Sequence, residues 1–258
     1  MLKQAKSLSP LRTKVEEIRA EPEGPEHCFP GNLLFSSRYE GIDMKQASLV
    51  KAGHHLICAC ALCLFATSGY SRPYLFSSIA GQAGKRGTAD GTNNGAHFYQ
   101  PRCLAVDLSG NLFVTDDTTV RRVRLVGTNY VVTTIAGTPR TAGGSDGTNG
   151  GARFTTAGGI AIDAATNLYV ADYGSHTIRK LTPLDTNWVV TTVAGLSGVA
   201  GSADGVGTNA LFNNPFGLCR DSAGNLLVAD SGNDTVRKVS PQGTDWVVTT
   251  VAGSPTHS

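Results

Sequence analysis

The phrase Trp188-Val-Val-Thr-Thr-Val-Ala-Gly195 decides the fold, because close copies of it recur along the chain. The same eight residues stand at 246–253, and variants that begin with Tyr stand at 130–137 and 74–81. Successive copies begin 56, 58 and 58 residues apart. A repeat of this length, filled with short β-branched runs and Gly/Asp turns, is typical of propeller blades, small sheets that bury their faces only against neighbours. The sequence therefore predicts an all-β chain of stacked blades.

Each repeat contains four short β-branched runs separated by turn residues, which predicts a four-stranded blade. In the second repeat these runs are residues 159–163, 167–172, 177–181 and 188–194. The predicted repeats span residues 82–137, 138–195 and 196–253, so about three blades are present, a partial propeller. The first copy of the phrase, at 74–81, is predicted to be an extra fourth strand.

The residues before the repeats divide into two further segments. Residues 1–43 form a polar extension without repeat character. We interpret the start codon as mis-assigned, so that these residues precede the true start of the protein; a cytoplasmic tail is the alternative. Residues 44–69 resemble a signal peptide: basic residues precede an apolar run of 11, from Leu56 to Ala66, and small residues follow. Eleven residues are too few to cross a membrane as a helix, which takes about 20. We therefore predict that residues 70–258 form the propeller part and are secreted, periplasmic or at the cell surface.

The span Pro215-Phe-Gly-Leu-Cys-Arg-Asp-Ser-Ala-Gly-Asn-Leu-Leu-Val-Ala-Asp-Ser-Gly-Asn-Asp-Thr-Val-Arg-Lys238 resembles the NHL repeat, and the first two repeats match it. The resemblance covers about residues 74–253. It implies four-stranded blades in a propeller most often of six, with the first strand innermost and the channel-side loops available for binding. One departure is Ala157, which stands where the leading Pro is expected.

An Asp and an Arg recur in every repeat, one closing the second strand and the other in the third. A carboxylate can accept turn N–H groups there, and a guanidinium can pair with it between strands. A catalytic group is needed once, so a pair present in each blade indicates a structural role. These positions are Asp116, Asp172 and Asp230, with Arg121, Arg179 and Arg237.

The loops that begin Asp90-Gly-Thr, Asp146-Gly-Thr and Asp204-Gly-Val-Gly-Thr are interpreted as tight turns between blades, with Gly at positive φ. Calcium binding through these loops is a weaker alternative, because each loop offers one carboxylate. No other cofactor and no metal site are predicted.

Residues that break the repeat are better candidates for binding than residues that keep it. His97 and Arg153 precede the Phe that leads into the first strand, Tyr173 and His176 lie in the turn after Asp172, and Arg220 replaces an apolar residue in a first strand. Ordinary surface variation is the alternative for each. The sequence contains no zincin spacing, no Gly-x-Ser-x-Gly and no phosphate-binding Gly-x-x-x-x-Gly-Lys loop.

Charge disfavours nucleic acid as the partner, since 14 Lys and Arg face 13 Asp and no Glu from residue 70 onward. The favoured function is an exported scaffold that binds a protein, peptide or glycan. The alternative is an enzyme of the lyase or lactone-hydrolase type, whose metal site would need further blades. Four copies of the phrase against three of every other strand predict that this is a fragment of a longer propeller, or half of a dimer, and that open blade faces self-associate.

Overall fold

The computed structural model describes residues 75–255, which form three antiparallel sheets of five strands each. The strands of blade one are β1 (Gly91–Thr92), β2 (Pro101–Val106), β3 (Leu112–Asp116), β4 (Thr119–Val126) and β5 (Asn129–Gly137). Those of blade two are β6 (Gly147–Thr148), β7 (Ala157–Ile162), β8 (Leu168–Asp172), β9 (Thr177–Leu184) and β10 (Asn187–Ala194). Those of blade three are β11 (Gly205–Val206), β12 (Pro215–Arg220), β13 (Leu226–Asp230), β14 (Thr235–Gln242) and β15 (Asp245–Ala252).

The fold is a partial β-propeller, as predicted, but each blade has five strands instead of four. In every blade the four long strands pair in sequence order, and the two-residue strand pairs with the outer edge of the last long strand. In blade one Gly91 lies opposite Val132. The interpretation of the Asp-Gly-Thr loops as tight turns is therefore wrong, because the residues after the Asp are extended and continue the sheet. Short 3₁₀ turns follow each of them, at Asn93–Gly95, Asn149–Gly151 and Gly207–Asn209.

The first long strands of successive blades lie against each other, which places them innermost. A Cβ on Gly159 would lie 2.4 Å from the Phe216 carbonyl oxygen and 2.8 Å from the Leu218 nitrogen. Because only a residue without a side chain fits there, β7 and β12 approach backbone to backbone. The Thr115 hydroxyl also donates across the first junction to the Gly158 carbonyl, at 2.7 Å.

The core lies between blades, where one face of each sheet packs on the opposite face of the next. At the first junction Phe113 of blade one meets Trp188 of blade two edge-to-face, with ring centroids 5.6 Å apart. Tyr169 and Trp246 repeat the arrangement at the second junction, also at 5.6 Å. In blades two and three the Trp that opens the phrase therefore packs on the preceding blade, which explains why an aromatic residue recurs there.

The predicted fourth strand at residues 74–81 is not formed, since residues 75–81 contain no strand, and Tyr74 lies outside the described residues. Leu75 and Phe76 are almost fully exposed. The end of the phrase keeps its usual place: a Cβ on Gly81, at φ 87°, would lie 3.2 Å from the Phe98 ring, and one on Gly137, at φ 84°, would lie 3.1 Å from the Phe154 ring.

Two blade faces are open. On blade three Val236 and Val251 are 39% and 51% exposed, whereas their counterparts in blade two, Ile178 and Val193, are buried against blade three. On blade one Leu104 is 63% exposed. The predictions for residues 1–43 and 44–69, and the export that rests on them, concern residues outside the described part of the chain. No helix within residues 75–255 is long and apolar enough to cross a membrane.

The two faces provide a matched test of how much blade packing stabilises the fold. Val120 and Val236 occupy the same position of the third long strand, but Val120 is fully buried and Val236 is 39% exposed. We expect Val120→Ala to lower the free energy of unfolding by about 2 kcal/mol, from lost apolar burial and the cavity left behind. Val236→Ala should cost less than about half as much. Urea denaturation at low protein concentration measures both, and equal losses would mean that the face of blade three is covered in solution.

Candidate functional site

The recurring Arg binds two Asp in each blade. Arg179 Nη2 lies 2.7 Å from Asp146 Oδ1, in the loop that enters the blade, and Nη1 lies 3.4 Å from Asp172 Oδ2, at the end of β8. Blades one and three have the same arrangement. In blade one Arg121 lies 2.7 Å from Asp90 and 3.2 Å from Asp116. In blade three Arg237 lies 2.7 Å from Asp204 and 2.9 Å from Asp230. We call each set an Asp-Arg-Asp cluster.

Each cluster fixes the long loop that leads into the first long strand. Arg179 also donates to the carbonyls of Arg153 and Ser145, at 3.0 and 2.9 Å. Its guanidinium carbon lies 5.3 Å from the centre of the Phe154 ring. The loop is thus held from the inside of the blade, which accounts for the Phe that recurs before each first strand.

The Asp of the loop ties the cluster to the last long strand. In blade three Asp204 accepts hydrogen bonds from the Thr250 backbone N–H and hydroxyl, both at 3.0 Å, in addition to the bond from Arg237. Burial raises the pKa of the Asp204 carboxyl, but the bonds from Thr250 and Arg237 outweigh it and the pKa is lowered. This role was not predicted from the sequence, although the Asp-Gly recurrence is visible there.

The Asp at the end of the second long strand is buried beside the Arg. Asp172 accepts the backbone N–H groups of Thr155 and Thr156, at 3.0 and 2.9 Å. Burial raises the pKa of the Asp172 carboxyl despite these bonds and the charge of Arg179. All three members of the cluster make hydrogen bonds within the blade, which is what the predicted structural role requires.

The structure separates the five predicted binding residues between two ends of the blades. Successive long strands are antiparallel, so the loop before the first strand and the turn between the second and third open at one end, which we call the long-loop face. His97, Arg153, Tyr173 and His176 lie there. Arg220 ends β12 and therefore lies at the opposite end, where it is exposed.

Two of the predicted residues are engaged within the fold. The backbone N–H of Asn214 donates to His176 Nδ1 at 3.0 Å, so His176 links the second turn of blade two to blade three. The Arg153 guanidinium donates to carbonyls of its own loop, those of Gly150 and Ala152. The His97 carbonyl accepts from Arg121, as every residue at this position does in its blade.

Tyr173 remains accessible on the long-loop face. Its side chain is exposed, and its ring meets Phe216 of blade three edge-to-face at 6.0 Å. Phe216 is itself 36% exposed. The two rings form an apolar surface beside the innermost strands.

Arg86, Tyr99 and Arg140 form a cluster on the same face that was not predicted from the sequence. The Arg86 guanidinium carbon lies 3.6 Å from the centre of the Tyr99 ring, and that of Arg140 lies 5.4 Å from it. The Arg86 Nε also donates to the Tyr99 carbonyl at 2.9 Å. Both Arg side chains are exposed, so the cluster presents two cations around one aromatic ring to solvent.

Arg140 adopts a backbone conformation that the other two loops give to Gly. Its φ is +58°, and the corresponding residues are Gly84 and Gly198, with φ of +76° and +79°. A side chain costs about 1–2 kcal/mol in this conformation. The break in the repeat was visible in the sequence at Arg140 and at Tyr99, which stands where Thr155 and Asn213 stand.

The comparisons with known proteins support the repeat type. No family model matches the chain. NHL repeat-containing protein 2 of Bos taurus is 34% identical over 155 residues, which are 55% of this chain and 21% of that protein. The match therefore spans about a fifth of the length of that relative.

Two of the solved structures to which the chain is similar come from Bacteroides. A protein of unknown function from Bacteroides thetaiotaomicron has a TM-score of 0.48 and 26% identity, over 58% of this chain and 35% of that one. An auxiliary nutrient binding protein from Bacteroides ovatus has a TM-score of 0.48 and 26% identity, over 57% of this chain and 38% of that one.

Within residues 75–255 no three His, Cys, Asp or Glu side chains are grouped so that they could hold a metal ion.

Removing the Arg of one cluster tests its structural role. Arg179→Met leaves the buried carboxylate of Asp172 without its cation, so we expect the free energy of unfolding to fall by about 3–5 kcal/mol. The double variant Arg179→Met/Asp172→Asn should recover part of the loss, because it removes the uncompensated charge. Lys180→Met, at the next residue of the same strand, is the control and should cost less than about 0.5 kcal/mol. A loss for Arg179→Met as small as that of the control, measured by chemical denaturation, would contradict the role.

The lowered pKa of Asp204 gives a pH dependence. A carboxyl whose pKa is lower in the folded state stabilises the fold above its unfolded pKa of 3.8, and this contribution is lost as the pH falls through the folded pKa. We therefore expect Asp204→Asn to be less stable than wild type at pH 7 and the difference to shrink below about pH 4. Thermal melting from pH 3 to 7 measures it. A difference that stayed constant over this range would show that the carboxylate charge does not matter.

Proposed function

We propose that this chain, which is an NHL-repeat protein, is a binding scaffold that takes a protein, peptide or glycan on its long-loop face. The proposal rests on the conformation of Arg140. A residue held at positive φ without being Gly costs stability, and such residues concentrate at functional sites. Within residues 75–255 the Arg140 side chain forms no hydrogen bond or ion pair, and its guanidinium lies over the Tyr99 ring on the solvent side.

The surroundings of Arg140 suit a ligand better than they suit packing. Tyr99, Tyr173 and Phe216 provide aromatic surface on one face, and Arg86 and Arg140 provide donors that do not lie in the Asp-Arg-Asp clusters. Exposed aromatic and Arg side chains are the residues that most often carry binding energy at interfaces. The exposed Arg102 is adjacent, with its guanidinium 2.8 Å from the Gln100 amide oxygen.

The internal repetition also favours binding over catalysis. The recurring Arg and the Asp that ends each second long strand are buried in clusters of similar geometry, whereas Arg140 and Tyr173, which differ from their counterparts in the other blades, are exposed. When the strands and the Asp-Arg-Asp clusters stay constant and the loops vary, each blade presents different side chains to solvent. An extended binding surface requires such variation.

Replacing Arg140 tests the proposal with two readouts. Arg140→Gly restores the residue of the other two loops, so we expect the free energy of unfolding to rise by up to about 1 kcal/mol, since relief of the strain exceeds the added entropy of Gly in the unfolded chain. The same change, and Tyr99→Ala, should each weaken binding at least tenfold. Binding is measured on arrays of immobilised peptides and oligosaccharides, followed by titration of the strongest array component.

Arg220→Gln is the matched control, because it removes an exposed Arg at the opposite end of the blades. It should leave both stability and binding unchanged. If Arg140→Gly gained stability and kept full binding, or if Arg220→Gln lost as much binding as Arg140→Gly, the long-loop face would not be the binding surface.

A further inference from the structure

A cleft at the outer edge between blades one and two is lined by polar groups that have no partner. It has a volume of about 220 Å³, and its walls include Arg122 of β4, Thr133 of β5 and Trp188 of β10. Thr186, in the turn before β10, closes one side. The cleft therefore lies away from the long-loop face, toward the turns at the opposite end of the blades.

Arg122 differs from the other Arg in its surroundings. Among the described residues its guanidinium forms no ion pair, whereas Arg121, Arg179 and Arg237 each pair with two Asp. Its Nε is buried without a hydrogen-bond partner, as the Nε atoms of those three Arg also are. The neighbouring Arg121 points to the other face of the sheet, where Asp90 and Asp116 already bind it. Because Arg122 is a cation beside the cleft with no anionic partner among the described residues, its guanidinium is available to pair with an acidic group of a ligand.

A second unpartnered group lines the same cleft. The Thr133 hydroxyl is buried and has no hydrogen-bond partner among the described residues. Its neighbour Thr134, by contrast, uses its hydroxyl and its N–H to bind Asp90. Arg122 and Thr133 lie directly opposite each other on the paired strands β4 and β5, so both can reach one ligand group.

The chemistry of the walls selects a class of ligand. A guanidinium binds a carboxylate through two parallel hydrogen bonds, and the hydroxyls of Thr133 and Thr186 can exchange bonds with ligand hydroxyls. The indole of Trp188 gives an apolar wall of the kind that packs against the C–H groups of a ring. A compact ring that carries both a carboxylate and several hydroxyls is a uronic acid.

The chain repeats the cleft once, which suits a polymer. Between blades two and three a cleft of about 330 Å³ is lined by Lys180, Thr191 and Trp246, the counterparts of Arg122, Thr133 and Trp188. Asp245 also lines this second cleft. Its carboxylate opposes an anion, so the second cleft should bind the same ligand more weakly than the first.

We propose that the Arg122 cleft binds a uronic acid unit of an acidic oligosaccharide, with the Lys180 cleft as a weaker second contact along the same chain. The proposal concerns a different surface from the long-loop face and does not depend on it. Loss of binding on the arrays by the Arg140 and Tyr99 variants would leave it untouched.

The test is titration of the purified full chain with oligogalacturonate, using isothermal calorimetry. Arg122→Gln should weaken binding at least tenfold, Thr133→Val about threefold, and Lys180→Gln by less than Arg122→Gln. Arg124→Gln is the matched control, since Arg124 is an exposed Arg on the same strand and does not line the cleft; it should bind as wild type does. Circular dichroism and thermal melting check that each variant folds.

Three results would overturn the proposal. The first is no binding of oligogalacturonate to the wild-type chain. The second is an equal loss for Arg122→Gln and Arg124→Gln, which would mean general attraction between charges. The third is equal binding of poly-L-glutamate or of a neutral galactose oligomer, because the cleft would then recognise either any carboxylate or no carboxylate at all.

Discussion

The structure depends on a buried Arg held between two Asp, repeated once in each blade. In blade two Arg179 reaches from the third long strand to Asp172 at the end of the second strand and to Asp146 in the entering loop. The loop Asp in turn binds the last long strand through Thr192. Arg179 therefore connects the loop to the second and third long strands directly, and to the fourth long strand through Asp146. A buried ion pair gives little net stability compared with an apolar core, but it is costly to break, so it fixes the loop in one conformation.

That constraint explains why the long-loop face can vary without loss of the fold. The loop is anchored from inside the blade, by the Asp-Arg-Asp cluster and the Phe packed over the guanidinium, as with Arg121 over Phe98 at 4.8 Å. The outward side chains of the loop take no part in the anchor. Blade one can therefore present Tyr99 where the other blades present Thr155 and Asn213. Packing between blades supplies the rest of the stability, which is why a face without a neighbour leaves apolar residues such as Val251 exposed.

The strands of the blades can be predicted well from the sequence, but the candidate binding residues only in part. The recurrence of the phrase and of the Asp and Arg is a long-range pattern that only stacked blades satisfy, so it predicts the strands, their order and the structural role of Arg179. It does not predict the fifth strand, because the two residues Gly147 and Thr148 become extended only by pairing with β10. The engagement of His176 by Asn214 of the next blade is likewise a contact between blades, which a pattern within one repeat cannot contain.

Departures from the repeat fall into two physical kinds, and the distinction decides which of them matter. Some departures cost nothing: Arg220 replaces an apolar residue at an exposed strand end, where its side chain reaches water. Others cost stability, as at Arg140, which holds a side chain in a conformation that the other loops give to Gly. Because selection rarely keeps a cost that brings no gain, a departure that strains the backbone indicates a function more strongly than an unusual residue at the surface.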